Sequence, residues 1–155
     1  MPRIRLAIAA LAALAMPATA RAQATNTLAG TWTIEWESGR RLENEVVTPV
    51  IAKGTIVISA SGDSLIATVT QLSRSDGMPS PPVATFGGKT TAAGAVFTQR
   101  QQVRVNINGD QGMREAVMTW TVAADGDVLR GTIAREVPGM QVAMPPTPFT
   151  GKRGT

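Results

Sequence analysis

The chain reads as an all-β protein. We expect an antiparallel up-and-down meander of about eight strands, closed into a barrel and preceded by a signal peptide. Three observations predict this. Apolar residues recur at every second position, the period of a half-buried strand, and not at the helical spacing of 3.6. Turn chemistry such as Ser61-Gly62-Asp63, Asn108-Gly109 and Asp125-Gly126 separates the apolar runs at short intervals, as successive hairpins require. The chain also contains no cysteine. A domain without disulfides gains from closing its sheet, because closure removes unpaired edges.

The first segment, MPRIRLAIAALAALAMPATARAQA, is read apart from the fold. Arg3 and Arg5 form a basic start, and Leu6 to Met16 is an uninterrupted apolar run, short for a bilayer span. Pro17 and small residues follow, and Ala20-Arg21-Ala22 fits a small-x-small cleavage site. Residues 1–22 are therefore expected to be a Sec-type signal peptide, and 23–155 a single barrel domain in the periplasm or outside the cell. Removing 22 of the 155 residues leaves 133, an ordinary length for one core. Arg3, Arg5 and Arg21 leave with the signal, so the net charge falls from +4 to +1. With no basic run remaining, nucleic acid is not an expected partner.

The strands follow in order. In GTWTIEWE, Trp32, Ile34 and Trp36 share one face while Thr31, Thr33, Glu35 and Glu37 share the other. Ser38-Gly39 is expected to turn the chain. LENEVVTPV is ambiguous: it is rich in β-branched residues, but Pro49 belongs at an edge or bend. KGTIVISA and SLIATVTQL form a hairpin around SGD. SRSDGMPSPP is a loop by composition. VATFGGKTTAAG is a weaker strand pair. AVFTQRQQVRVNI is long and β-like, with Gln99 and Gln101 on the same face as Phe97, unless a bulge flips the register. REAVMTWTVA and DVLRGTIAREV flank ADGD, and a Pro- and Met-containing loop leads to a last short strand, FTGKR.

Two of these stretches carry a resemblance. AGTW at the start of the first strand resembles the Gly-x-Trp opening of calycin-like barrels, the lipocalin and avidin type. The tail GDVLRGTIAREV…PFTGKR is similar to the closing strands of small exported bacterial barrels of that kind. The resemblance implies that the opening tryptophan packs at the closed end with a basic residue of a late strand across it. On this chain those positions are Gly30, Trp32 and Arg153, with Arg135 as the rival partner. A guanidinium over an indole face is attractive and covers apolar surface. The chain departs from the lipocalin pattern: it has no cysteine pair, no second lipocalin motif and no helix after the barrel.

The residue inventory narrows the chemistry. The absence of histidine and cysteine removes Ser-His and Cys-His catalysis and the usual zinc ligands. Asp63, Asp76, Asp110, Asp125 and Asp127 lie at or near glycine turns and are read as turn formers, so no metal or other cofactor is expected. Glu35 and Glu37 are neighbours on a wet strand face, a weak basis for glycosidase chemistry. Few aromatics, no tyrosine and Thr/Arg-rich outer faces argue against an integral membrane barrel. No enzymatic activity is expected.

The first functional expectation is a binding barrel with a small, mainly apolar ligand in its mouth. Trp36, Gln99, Gln101 and Trp120 are the candidate ligand residues, and the loops 74–82 and 137–148 flank the mouth. The alternatives are a protein-interaction module or a filled barrel with no ligand. Protease-inhibitor-like barrels with a Gly-x-Trp opening exemplify the former and use the extended segment before the first strand, here Gln23 to Ala29. A cavity of roughly 300 Å³ or more favours the ligand. A filled interior with an exposed apolar patch favours a protein partner.

Overall fold

The structure is a computed structural model and describes residues 27–62, 64–107, 110–139 and 145–154. The expected signal peptide, Gln23 to Asn26, Asp63, the Asn108-Gly109 turn and residues 140–144 lie outside the described residues. The strands are β1 (Gly30–Glu43), β2 (Val46–Ser61), β3 (Ser64–Arg74), β4 (Ala84–Thr91), β5 (Gly94–Ile107), β6 (Asp110–Asp125), β7 (Val128–Glu136) and β8 (Thr147–Arg153). Each pairs antiparallel with the next, and β1 closes on β8 through Trp32↔Arg153 to Trp36↔Phe149. The result is the closed eight-stranded meander that the alternation predicts.

Three local readings of the sequence are corrected. VATFGGKTTAAG, read as a strand pair, is one strand, β4, and its Gly87 and Gly88 lie within the ladder to β3. Ser38-Gly39 does not turn the chain: it forms a bulge within β1, where the register with β2 shifts between Glu37 and Gly39. The Ser38 hydroxyl donates to the Val50 carbonyl at 3.2 Å, giving the interrupted ladder a replacement bond. The turn comes later, at Asn44-Glu45, both with positive φ (49° and 64°), the geometry that suits the twist of a two-residue hairpin. LENEVVTPV is thus the tip of a long β1–β2 hairpin. Pro49 pairs with Arg40 where β2 has β1 on one side and no β3 ladder on the other, the position open to a residue without an N–H.

The inward faces follow the period-two pattern. Trp32, Ile34, Ile56, Ile58, Leu65, Ala67, Phe86, Phe97, Trp120, Val122, Leu129 and Phe149 form one buried cluster. Two inward glycines make room for rings. Gly88 is the register partner of Phe97, and Gly131 that of Phe149. A Cβ at either glycine would run into the opposing phenyl ring, so the small residue lets each ring fold across the neighbouring strand.

The strands differ in length, and this gives the barrel two unlike ends. The β2–β3, β4–β5 and β6–β7 turns gather at one end with the start of β1 and the finish of β8. At the other, the β1–β2 and β5–β6 hairpins run past their neighbours. β5 pairs with β4 only as far as Phe97, and β6 meets β7 only from Val117 onward. Beyond those points β5 and β6 pair only with each other, as do the ends of β1 and β2, although Ala116 and Val50 stay buried there. β3 ends and β4 begins at this same end, as β7 ends and β8 begins, so loop 74–82 lies at this mouth; of the loop 137–148, residues 140–144 lie outside the described residues.

Candidate functional site

The first end is sealed by a small set of contacts. Thr27 and Leu28 are helical, and Leu28 is completely buried. Trp32, also completely buried, donates its indole N–H to the Leu28 carbonyl at 2.9 Å. The Arg153 guanidinium lies 4.1 Å from the Trp32 ring centroid. Its Nη1 donates to Ala29 O at 3.0 Å and its Nη2 to Thr27 O at 2.7 Å. One fork thereby ties the segment just before β1 to β8 while covering the indole face. Gly30 adopts a φ of 132°, which only glycine reaches easily, and an added Cβ would sit 2.9 Å from Arg153 Nη1. Arg135, the rival partner for Trp32, is instead the register partner of Met118 in the other half of the barrel.

The open half is built differently. Trp36, Gln99, Gln101 and Trp120, the four residues singled out for ligand contact, all carry the inward register. The β5–β6 ladder runs without a shift from Ala95↔Val122 to Ile107↔Asp110, so no bulge turns Gln99 and Gln101 outward. Both are half-buried. The Gln101 amide donates to the Met118 sulfur at 3.0 Å, a weak acceptor. Beneath them lies an aromatic floor centred on Trp120. Its ring is 5.4 Å from Phe149, 5.9 Å from Phe86 and 6.3 Å from Trp36 between centroids, mostly edge to face.

Gln71 belongs to this half too. It continues the inward series Leu65, Ala67 and Val69 on β3, and its partner is the buried Gly54. Extending the alternation by one step identifies it in the sequence. Its Nε2 and the Trp120 Nε1 are buried and have no hydrogen-bond partner in the protein.

At the rim, Arg74 makes two hydrogen bonds to Asp76, 3.0 Å from Nε and 2.6 Å from Nη2. Asp76 also accepts from the Met78 amide at 3.2 Å. The Arg74 hydrogen bond holds the Asp76 carboxyl below the usual carboxylate range. Among the described residues, the exposed large apolar side chains all lie at this end except Val57. They are Leu42, Val46 and Val47 on the β1–β2 ribbon, Leu72, Met78 and Val83 around the β3–β4 loop, and Met113 on the β5–β6 ribbon.

A shallow cleft of about 210 Å³ opens where the β1–β8 ladder ends, lined by Glu35, Trp36, Glu37, Ile51, Pro148, Phe149 and Thr150. It is smaller than the roughly 300–1,000 Å³ of small-molecule sites. Its carboxylates are engaged, Glu35 with Lys53 and Glu37 with Arg40. It opens on the edge of the open half, with which it shares Trp36 and Phe149. No three His, Cys, Asp or Glu side chains group at metal-binding distance among the described residues. No protein-family model, curated protein or solved structure matches the chain.

Proposed function

We propose that the protein is an exported, calycin-like binding barrel that takes a small, mainly apolar ligand in its open half and performs no chemistry on it. The observation that carries this reading is the contrast between the ends. Leu28, Trp32 and Arg153 seal one. At the other, half-buried amides and a thioether stand over a floor of four aromatic rings. Aromatic faces supply contact area, and a few amides orient a ligand without proton transfer. The N-terminal composition supports export.

The test is native mass spectrometry of the full-length protein produced in an exporting host and purified without denaturation. A reproducible extra mass, released on activation and displaced by added lipid, supports the reading. Retention of that mass when Trp36 and Gln99 are replaced together by alanine overturns the placement of the site.

A second reading, protein binding, is favoured by the exposed apolar side chains of the two ribbons and their unpaired strand edges, and by a cleft of about 210 Å³ that falls short of the volume expected of a small-molecule site. It shifts the contact surface away from the segment before β1. Thr27 and Leu28 are helical, and Leu28 is buried against the barrel, so this part of Gln23 to Ala29 is not an extended inhibitory strand.

A further inference from the structure

We infer that the ligand presents a hydrogen-bond acceptor oxygen, as a carbonyl or carboxylate, to the indole N–H of Trp120, with the Gln71 amide as a second contact. The inference deepens the proposed ligand site and rests on it. It starts from a comparison of two tryptophans in one core. Trp32 and Trp120 are both more than nine-tenths buried. Trp32 donates to the Leu28 carbonyl at 2.9 Å. Trp120 donates to nothing in the protein. Buried donors are nearly always paired, because an unpaired one forfeits the bond that water gives it in the unfolded chain. The immediate surroundings of Trp120 do not repair the loss: Trp36, Phe86 and Phe149 offer ring edges and faces.

The polarity of the missing partner follows from donor chemistry. An indole N–H donates and never accepts, whatever the pH. Gln71 is less decisive, since an amide can present oxygen or nitrogen; its buried Nε2 also lacks a partner and is a second donor of the open half. A ligand headed by an ammonium group brings only donors and would leave the indole unpaired. The ligand is thus amphipathic in a specific sense: an apolar body over the aromatic floor, and an acceptor oxygen aimed into it.

The experiment uses protein expressed from the full sequence in an exporting host and labelled with ¹⁵N, whose three tryptophans give separate indole N–H signals. Trp120→Phe assigns one of them. Decanoate, methyl decanoate and decylamine are titrated at pH 7 below their micelle-forming concentrations. They share an alkyl chain and differ in the head. The expected result is a downfield shift of the Trp120 indole proton with the two oxygen-headed probes. They should bind roughly tenfold tighter than decylamine. Gln71→Leu extends the apolar series Leu65, Ala67 and Val69 and should fold. It should cut the preference by roughly three- to tenfold. Equal affinity for all three heads, or binding that leaves the Trp120 indole unmoved, overturns the inference and leaves the ligand site standing. Failure of all three probes to bind overturns both.

Discussion

Arg153 joins three interactions in one side chain: an indole face, two backbone carbonyls and, at the surface, Asp127. Asp127 is highly exposed and adds little. The carbonyl bonds and the ring contact dominate, so Arg153→Ala should cost about 2–3 kcal/mol, read as a fall in Tm of roughly 5–15 °C. Arg153→Lys should recover only part of this, since an ammonium lacks the planar fork that reaches both carbonyls. A second residue-scale prediction concerns Asp76. Its carboxyl is depressed in the folded protein by the Arg74 hydrogen bond. The resulting contribution is present above the ordinary carboxyl range near about pH 4 and is lost as pH falls through the depressed value. Hydrogen exchange at the Met78 amide, which donates to Asp76, should accelerate through that window, and Asp76→Asn should remove the pH dependence. The pairing of Trp32 with Arg153 was implied by the resemblance to calycin-like barrels, with Arg135 as a rival, and the residues of the two strands alone do not choose between them. The Arg74–Asp76 pair was not legible, because a two-residue separation across a bulged strand end has no distinct sequence pattern.

At the scale of single elements, each inward ring depends on the glycine it covers. Gly88→Val should destabilise by about 2–3 kcal/mol in urea unfolding, since Phe97 is completely buried and has no other place for its ring. The same substitution at Gly87, which points into open space, should cost far less. The β1–β2 turn offers the opposite experiment. Glu45 holds a φ of 64°, a region that disfavours residues with a Cβ. Glu45→Gly creates Asn-Gly and should stabilise the hairpin by about 0.5–1 kcal/mol, seen as slower hydrogen exchange across the Leu42↔Val47 pairs. This turn was not legible because Asn-Glu is a poor turn dipeptide beside Ser38-Gly39, whose composition suggested the turn but whose backbone makes a bulge. The stretch VATFGGKTTAAG, read as two strands, is the single strand β4, because its glycines serve to admit a neighbouring ring and not to bend the chain. The other strands were legible because one face is buried, which ties the apolar residues to period two.

For the whole molecule, the consequential property is asymmetry. Leu28 plugs one end, while the β1–β2 and β5–β6 hairpins extend the other beyond the closed part of the sheet. An exported protein should lose residues 1–22. Intact mass spectrometry of material from the periplasm or medium should therefore start at Gln23, and substitution of Ala20 and Ala22 by bulky residues should retain the precursor. Loss of that segment reduces the net charge to +1, so adsorption to nucleic acid should be negligible at physiological salt.

The sequence by itself determined the all-β class, the meander and the inward faces, because alternation and turn chemistry are local and the barrel leaves each strand one buried face; which late arginine covers Trp32 was settled by the β1–β8 ladder. The tertiary structure alone decided which strands outrun their neighbours, that Ser38 bulges, and that Gln99 and Gln101 keep the inward register. It also decided that the Trp120 N–H and the Gln71 Nε2 are left unpaired. Those outcomes depend on which residues face one another across the ladder and the barrel, and no stretch of sequence contains both partners.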